Sequence, residues 1–130
     1  MSSDPRGSEL IFYGENQFFA SFALGQKDHL IPWLDTVGPE HARHIRHLQV
    51  QLGYLKTTDL TLQEARTLYS QLGDSTAAAL ARCIVERGVP PTNIRATEQS
   101  SDTFGAELLI LWTVMRFQEE LDGLKEEETL

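Results

Sequence analysis

Two segments in the first half of the chain alternate apolar and polar residues, which predicts β-strands. Side chains on one face of a strand recur at every second position, so each segment gathers its apolar set on one face. We therefore expect strands over residues 17–22 and 47–52, paired antiparallel. The apolar positions are Phe18, Ala20 and Phe22 in the first and Leu48, Val50 and Leu52 in the second. Residues 10–13 are also apolar, but a run of four does not separate helix from strand.

The residues between these strands are spaced as in helices. Residues 30–37 predict a short helix, because Pro32 is tolerated only in a first helical turn and Gly38 suits a left-handed helix end. Residues 39–44 predict one further helical turn. Two strands alone would be only marginally stable, so we expect them to pack against a layer of helices or to join a sheet supplied by a partner.

The second half predicts two successive helices and a loop. Thr61 and Glu64 form a capping box that begins a helix, and Gly73 is expected to end it. A second helix is expected over residues 76–87, and the polar residues 92–102 predict a surface loop. The expected inward positions are Leu62, Ala65, Tyr69 and Leu72 in the first helix and Ala77, Leu80, Ala81 and Ile84 in the second.

The last helix is expected to be the centre of the core. Residues 108–117 are apolar except Thr113 and Arg116, which is too many apolar residues for a single stripe, so we expect the helix to be buried on most sides. We expect the core helix to extend over residues 106–121. Acidic residues then accumulate, and negative charge at a helix C-terminus opposes the helix dipole.

These elements predict one α+β domain over residues 9–124. It would consist of a small two-stranded antiparallel sheet packed against three or four helices, with a long, central C-terminal helix. Residues 1–8 are expected to form a loose N-terminus, and residues 125–130 an acidic, frayed tail.

The charge and composition exclude several classes of function. The chain has 130 residues, 19 acidic and 11 basic, and a net charge of −8. Such a surface repels phosphate backbones, so we expect no nucleic-acid partner. No apolar run is long enough to span a membrane, and no secretory signal opens the chain, so we expect an intracellular protein, cytoplasmic or nuclear, without a membrane partner. One cysteine excludes an internal disulfide.

The residues with reactive side chains do not form a recognisable catalytic motif. His41, His44 and His47 are three residues apart, but a zinc site needs three or four convergent ligands and His47 begins a predicted strand. Cys83 lies in mid-helix with no turn to expose it. The sequence has no phosphate-binding glycine loop and none of the common hydrolase or calcium-binding motifs. We therefore expect no catalytic residues, no metal ligands and no cofactor.

Three short motifs lie within residues 10–52. They are Tyr13-Gly14-Glu15-Asn16-Gln17-Phe18, Val37-Gly38-Pro39 and Ile45-Arg46-His47-Leu48. With these motifs, the first third of the chain resembles a large set of fungal proteins that have an F-box-like N-terminal domain. In that set a Y-G-E-N-T-F type motif is followed by an I-G-P type turn and a strand that begins I-R-H-L. The resemblance covers residues 10–52.

The resemblance implies that residues 10–13 form the end of a helix. Gln17 replaces the usual threonine, and the F-box-like portion that precedes this segment in the family is absent here. That portion would carry the family's inferred role of bridging to a ubiquitin-ligase scaffold, so the role is not transferred to this chain. Residues 53–130 resemble no family that we can name.

Because we expect no catalytic residues, metal ligands, cofactor or nucleic-acid partner, binding to other proteins is the function that remains. Aromatic residues crowd the region of the predicted strands, and an apolar side chain on the far face of a small sheet invites pairing. We predict a non-enzymatic protein-interaction module that binds a protein partner or forms a homo-oligomer. The predicted interface consists of Phe12, Phe19, Trp33, Phe117 and Leu121.

Two alternatives remain open at this point. The first is a ligand-binding or enzymatic domain with a pocket between strands and helices, lined by Trp33, Tyr69 and Trp112. The second is a truncated remnant of an F-box-like protein that retains no activity.

Overall fold

A computed structural model describes residues 9–14, 16–24, 29–54, 60–100 and 103–129. Four strands form one sheet in the order β1-β2-β3-β4. Strand β1 is antiparallel to β2, whereas β2, β3 and β4 are mutually parallel. The strands are β1 (Glu9–Gly14), β2 (Gln17–Leu24), β3 (His47–Tyr54) and β4 (Ile94–Glu98).

Helices connect the parallel strands and follow the last one. The elements are α1 (Leu30–Val37), α2 (Pro39–Ala42), α3 (Leu62–Leu68), a π-helical turn (Tyr69–Gly73), α4 (Asp74–Glu86), a 3-10 turn (Pro91–Asn93) and α5 (Phe104–Thr129). The prediction for residues 30–37 is confirmed by α1, and Gly38 follows it with φ 86°. The capping box is also confirmed, because the Thr61 hydroxyl accepts from the Glu64 N–H while the Glu64 carboxylate accepts from the Thr61 N–H.

The predicted two-stranded antiparallel sheet is wrong. Strands β2 and β3 pair in parallel, with Phe18 opposite Leu48 and Phe22 opposite Leu52. The reason is the connection, because α1 and α2 carry the chain back to the edge where β2 began. Helix α3, the π-helical turn and α4 make the second such crossover, from β3 to β4.

The sheet contains two strands that the sequence did not predict. Residues 92–102 were expected to form a loop, but β4 pairs with β3 throughout its length. The helix end implied for residues 10–13 is also wrong, since they belong to β1, which forms a hairpin with β2. Asn16 in the turn of this hairpin has φ 60°, a left-handed conformation that asparagine tolerates.

All the helices cover the same face of the sheet. On β3, Leu48, Val50 and Leu52 are buried and cluster with side chains of α1, α4 and α5. Gln49 lies on the opposite face and is exposed. In the described part of the chain the fold has two layers, and we call the sheet face without helices the open face. This arrangement explains the alternation of apolar and polar residues along β3.

The helical layer differs from its prediction at two places. Gly73 does not end a helix, because the chain continues from α3 through the π-helical turn into α4. The four expected inward residues of α4, Ala77, Leu80, Ala81 and Ile84, are confirmed as buried. Leu62 and Leu72 were expected to point inward but are 42% and 40% exposed.

Helix α5 is largely covered over residues 108–117, as predicted, and Met115 is the exposed residue of this stretch. The helix continues to Thr129, and the frayed tail expected over residues 125–130 stays a prediction. The predicted loose N-terminus lies outside the described residues. Helix α5 packs on α3, α4 and β4, leaving a side of α5 without cover from the described part of the chain.

Candidate functional site

The histidines and the cysteine do not form a site. His41, His44 and His47 are exposed, and the His41 ring nitrogen lies 3.2 Å from the backbone oxygen of Val37, the last residue of α1. Among the described residues, no three His, Cys, Asp or Glu side chains are placed to hold a metal ion. Cys83 is half-buried on α4.

The structure places the predicted interface residues in separate environments. Phe117 and Leu121 are both 0% exposed and lie in the core, on the side of α5 that faces the other elements. Phe19 is half-buried on the open face of the sheet, opposite Gln49 in register. The side chain of Phe12 lies outside the described residues.

The aromatic residues of the predicted pocket separate into two pairs. The Trp33 ring lies 4.8 Å from the ring of Phe18, in the larger of two core clusters. The Tyr69 and Trp112 rings meet edge to face at 5.9 Å, beside the smaller cluster. The structure therefore brings Tyr69 and Trp112 together but places Trp33 elsewhere.

The most distinctive surface is an apolar row along α5, which we name the α5 stripe and define as Phe104, Leu108, Leu111 and Met115. Phe104 is 69% exposed and Met115 is 59% exposed, while the two leucines between them are half-buried. Steps of four, three and four residues place all four side chains on one side of the helix. With a rise of 1.5 Å per residue, the stripe is about 16 Å long.

One side of the stripe borders a groove of ≈ 350 Å³, which we name the aromatic groove. Its lining residues are Tyr69, Asp74, Trp112, Met115, Arg116 and Glu119. The π-helical turn contributes Tyr69, and burial is the main cause that raises the pKa of its hydroxyl, with Asp74 adding to it. Met115 belongs to both the stripe and this groove, so the two form one continuous surface.

Ion pairs fix the charged rim of the aromatic groove. Arg116 contacts Asp74 at 2.9 Å and Glu120 at 2.8 Å, and Arg82 contacts Glu120 at 2.6 Å. Burial acts to raise the pKa of Glu120, but hydrogen bonds from both arginines outweigh it and lower the pKa. Burial acts to lower the pKa of Arg116, and its carboxylate partners outweigh that effect and raise it. The positive charge of Arg116 is therefore already balanced.

The other side of the stripe borders a second groove, of ≈ 610 Å³, which we name the acidic groove. Its lining residues are Glu98, Gln99, Ser100, Phe104, Glu107, Leu108 and Leu111. Of the described residues that line it, two are carboxylates and none is basic. The Gln99 N–H donates to Leu52 O at 3.0 Å, which extends the pairing of β4 with β3 and sets the wall of this groove.

Close packing holds α5 in place behind the stripe. A Cβ atom added to Gly105 would collide with the backbone oxygen of Leu60, so only glycine allows this approach. About two turns further along the helix, the Thr113 hydroxyl donates to Leu109 O at 2.7 Å and lies 2.8 Å from the Tyr54 hydroxyl. Burial is the main cause that raises the pKa of Tyr54. The helix is thus anchored by a buried polar contact as well as by apolar packing.

Sequence reasoning missed Phe104 and Met115 because the apolar run obscured the exposed side of the helix. The sequence of α5 contains two interleaved rows of mostly apolar residues, each at helical spacing. One row is the α5 stripe, and the other contains Ala106, Leu109, Ile110, Thr113 and Phe117, all of which are buried. Both rows have helical spacing, so the sequence does not distinguish the buried row from the exposed one.

Comparison with models of protein families, with curated proteins and with solved structures finds no match for this chain. Among the helices of the described residues, none combines the length and the apolar character needed to cross a bilayer.

Proposed function

We propose that this chain is a non-enzymatic protein-interaction module and that the α5 stripe, with its two flanking grooves, is its recognition surface. The observation that carries the proposal is the exposure of Phe104 (69%) and Met115 (59%) on one side of a well-anchored helix. Contiguous exposed apolar surface with a polar rim marks interaction sites. Covering these two side chains would contribute about 2–4 kcal/mol, the exposed share of the value for full burial.

The residue types also favour protein recognition. Methionine adapts its shape to a partner, and tryptophan, tyrosine and methionine are enriched in the centres of interfaces. Tyr69 and Trp112 line the same groove as Met115, and their rings pack edge to face, so the exposed methionine has two aromatic side chains beside it. The residues that would make contact come from α5 and the π-helical turn, both of which pack on the core.

Descent from the fungal set and an intracellular location are part of the proposal. They are supported by the three motifs within residues 10–52 and by no other observation. The bridging role of the family is not included.

The test is affinity capture from a fungal lysate with three versions of the full chain. These are the unaltered chain, the pair Phe104→Ser and Met115→Ser, and the control pair Leu62→Ser and Leu72→Ser. The control removes two apolar side chains that are 42% and 40% exposed and that line neither groove. We expect a stoichiometric partner with the unaltered chain and the control, and its loss with the stripe pair.

Circular dichroism and thermal unfolding would confirm that each version is folded before capture. Retention of the same partner by the stripe pair would refute this surface as the recognition site. If the unaltered chain is a strict monomer that captures no partner, the remnant alternative is favoured instead.

A further inference from the structure

We infer that the occupant of the α5 stripe is an amphipathic helix of another protein, with apolar residues on one face and lysine or arginine along both edges. The inference rests on the proposed function, since it identifies the chemistry of the partner at that same surface. Three features of the surface lead to it: its shape, the sign of its charge, and its unsuitability for a second copy of this chain.

The shape fits a helix. The stripe is a straight row about 16 Å long, or about three helical turns. Its side chains protrude between the aromatic groove, ≈ 350 Å³, and the acidic groove, ≈ 610 Å³. Helices pack by seating the side-chain ridges of one in the grooves beside the ridges of the other. An amphipathic helix that presents apolar residues at i, i+3, i+4 and i+7 matches this arrangement.

The charge around the stripe is negative on both sides. At 100° per residue, Glu107 lies on one edge of the stripe and Glu119 on the other. The side chain of Glu119 is 76% exposed, and Glu98 lines the acidic groove beside Glu107. Among the described residues that line the two grooves, Arg116 is the one cation. It contacts Asp74 at 2.9 Å, Glu120 at 2.8 Å and Glu119 more loosely, at 3.5 Å, so three carboxylates surround it and this rim remains negative.

Basic side chains on the edges of the partner would therefore find carboxylates at both rims. Charges at the edges of a helical interface set the choice of partner and speed association. A second copy of this chain is disfavoured by the same charges. Each copy would bring Glu107 and Glu119 to the interface, and the lining residues offer no further cation to face them.

The test uses the full chain and two synthetic 18-residue helical peptides with identical leucine positions. One peptide has lysine at its edge positions and the other has glutamate. Binding is measured by fluorescence anisotropy of labelled peptide at two salt concentrations. The protein variants are the stripe pair F104S/M115S, the rim pair E107Q/E119Q, and the control pair E40Q/E86Q, which neutralises two exposed glutamates on α2 and α4.

We expect the lysine peptide to bind at least about tenfold more tightly than the glutamate peptide. The stripe pair should weaken the lysine peptide by about tenfold or more, and the rim pair by about three- to tenfold with a smaller dependence on salt. The control pair should change affinity by less than about twofold.

The other outcomes overturn the inference in distinguishable ways. Equal binding of both peptides, lost in the stripe pair, refutes the basic partner but leaves the recognition surface intact. A dimer in light scattering that the stripe pair dissociates identifies a second copy as the occupant. If neither peptide binds, or if the stripe pair does not weaken binding, the amphipathic helix is refuted. The proposed function is tested separately by affinity capture, and it fails if the stripe pair retains the captured partner or if the unaltered chain is a strict monomer that captures none.

Discussion

Replacing Thr113 by valine should destabilise the protein more than replacing Tyr54 by phenylalanine, although both changes break the same hydrogen bond. The Thr113 hydroxyl donates its single proton to Leu109 O at 2.7 Å, so the Tyr54 hydroxyl, 2.8 Å away, must be the donor to Thr113. Tyr54 is 8% exposed and Thr113 is 1% exposed, so water does not readily replace either partner.

The two single substitutions leave different groups behind. Thr113→Val leaves a buried phenol donor without its acceptor, which costs about 1–3 kcal/mol, whereas Tyr54→Phe leaves Thr113 bonded to Leu109 and costs about 0.5–1.5 kcal/mol. The double variant replaces both partners by apolar groups of similar shape and should be no less stable than Thr113→Val alone.

Urea unfolding followed by circular dichroism at pH 7 measures the free energy of unfolding of the unaltered chain, the two single variants and the double variant, which together form a double-mutant cycle. The expected coupling is positive, since the double variant should lose less than the sum of the single losses. Strict additivity of the two losses, or a larger cost for Tyr54→Phe than for Thr113→Val, would refute the assignment of donor and acceptor.

Four further predictions concern α5 and Tyr54, which contacts it from β3. Burial raises the pKa of Tyr54 above 10.0 in the folded state, so the free energy of unfolding should fall as pH rises beyond about 10. Urea titrations at alkaline pH should show a less steep fall in Tyr54→Phe. Gly105→Ala should destabilise by about 1–3 kcal/mol, because its Cβ collides with the backbone of Leu60. Gly123→Ala, in the same helix with open space around it, should instead stabilise by about 0.5–1 kcal/mol in thermal unfolding. Arg82 and Arg116 lower the pKa of Glu120 below 4.5, so Glu120→Gln should lower the free energy of unfolding at pH 7. The difference in free energy of unfolding between this variant and the unaltered chain should shrink as pH falls below 4.5.

Local signals in the sequence predicted the elements that are fixed by local chemistry. The bounds of α1 follow from Pro32 in its first turn and Gly38 after its end. The Thr61–Glu64 capping box forms at the predicted position, because its two hydrogen bonds join only the side chains and backbone N–H groups of these two residues. The alternation along β3 is equally local, since Leu48, Val50 and Leu52 are buried while His47 and Gln49 are exposed.

Features that depend on distant neighbours were not predictable in this way. Strand β4 contains Arg95 and Glu98 among its five residues, and it forms because β3 offers a parallel edge. The alternation of β3 is typical of antiparallel sheets with one solvated face, so it favoured the wrong pairing. Gly73 lies inside a continuous helical segment because a Cβ at this position would come too close to the buried Tyr54 hydroxyl, and the sequence alone does not show that approach.

The exposed stripe illustrates the same limit at the candidate site. The sequence identified α5 and its apolar run, and it placed Trp112 and Tyr69 among the candidate ligand-contacting residues. Whether Met115 or Phe117 faces the core depends on where α3 and α4 lie, and only the tertiary structure supplies that. The two have opposite exposure, 59% and 0%.

Photo-crosslinking of the captured partner tests the central claim most directly. A benzophenone amino acid would be placed at Leu111, in the middle of the α5 stripe, and in a second version at Gln49, on the open face of the sheet. We predict a covalent adduct with the partner from position 111 and none from position 49. An adduct from position 49 alone would show that the partner docks on the sheet and would contradict the assignment of the α5 stripe.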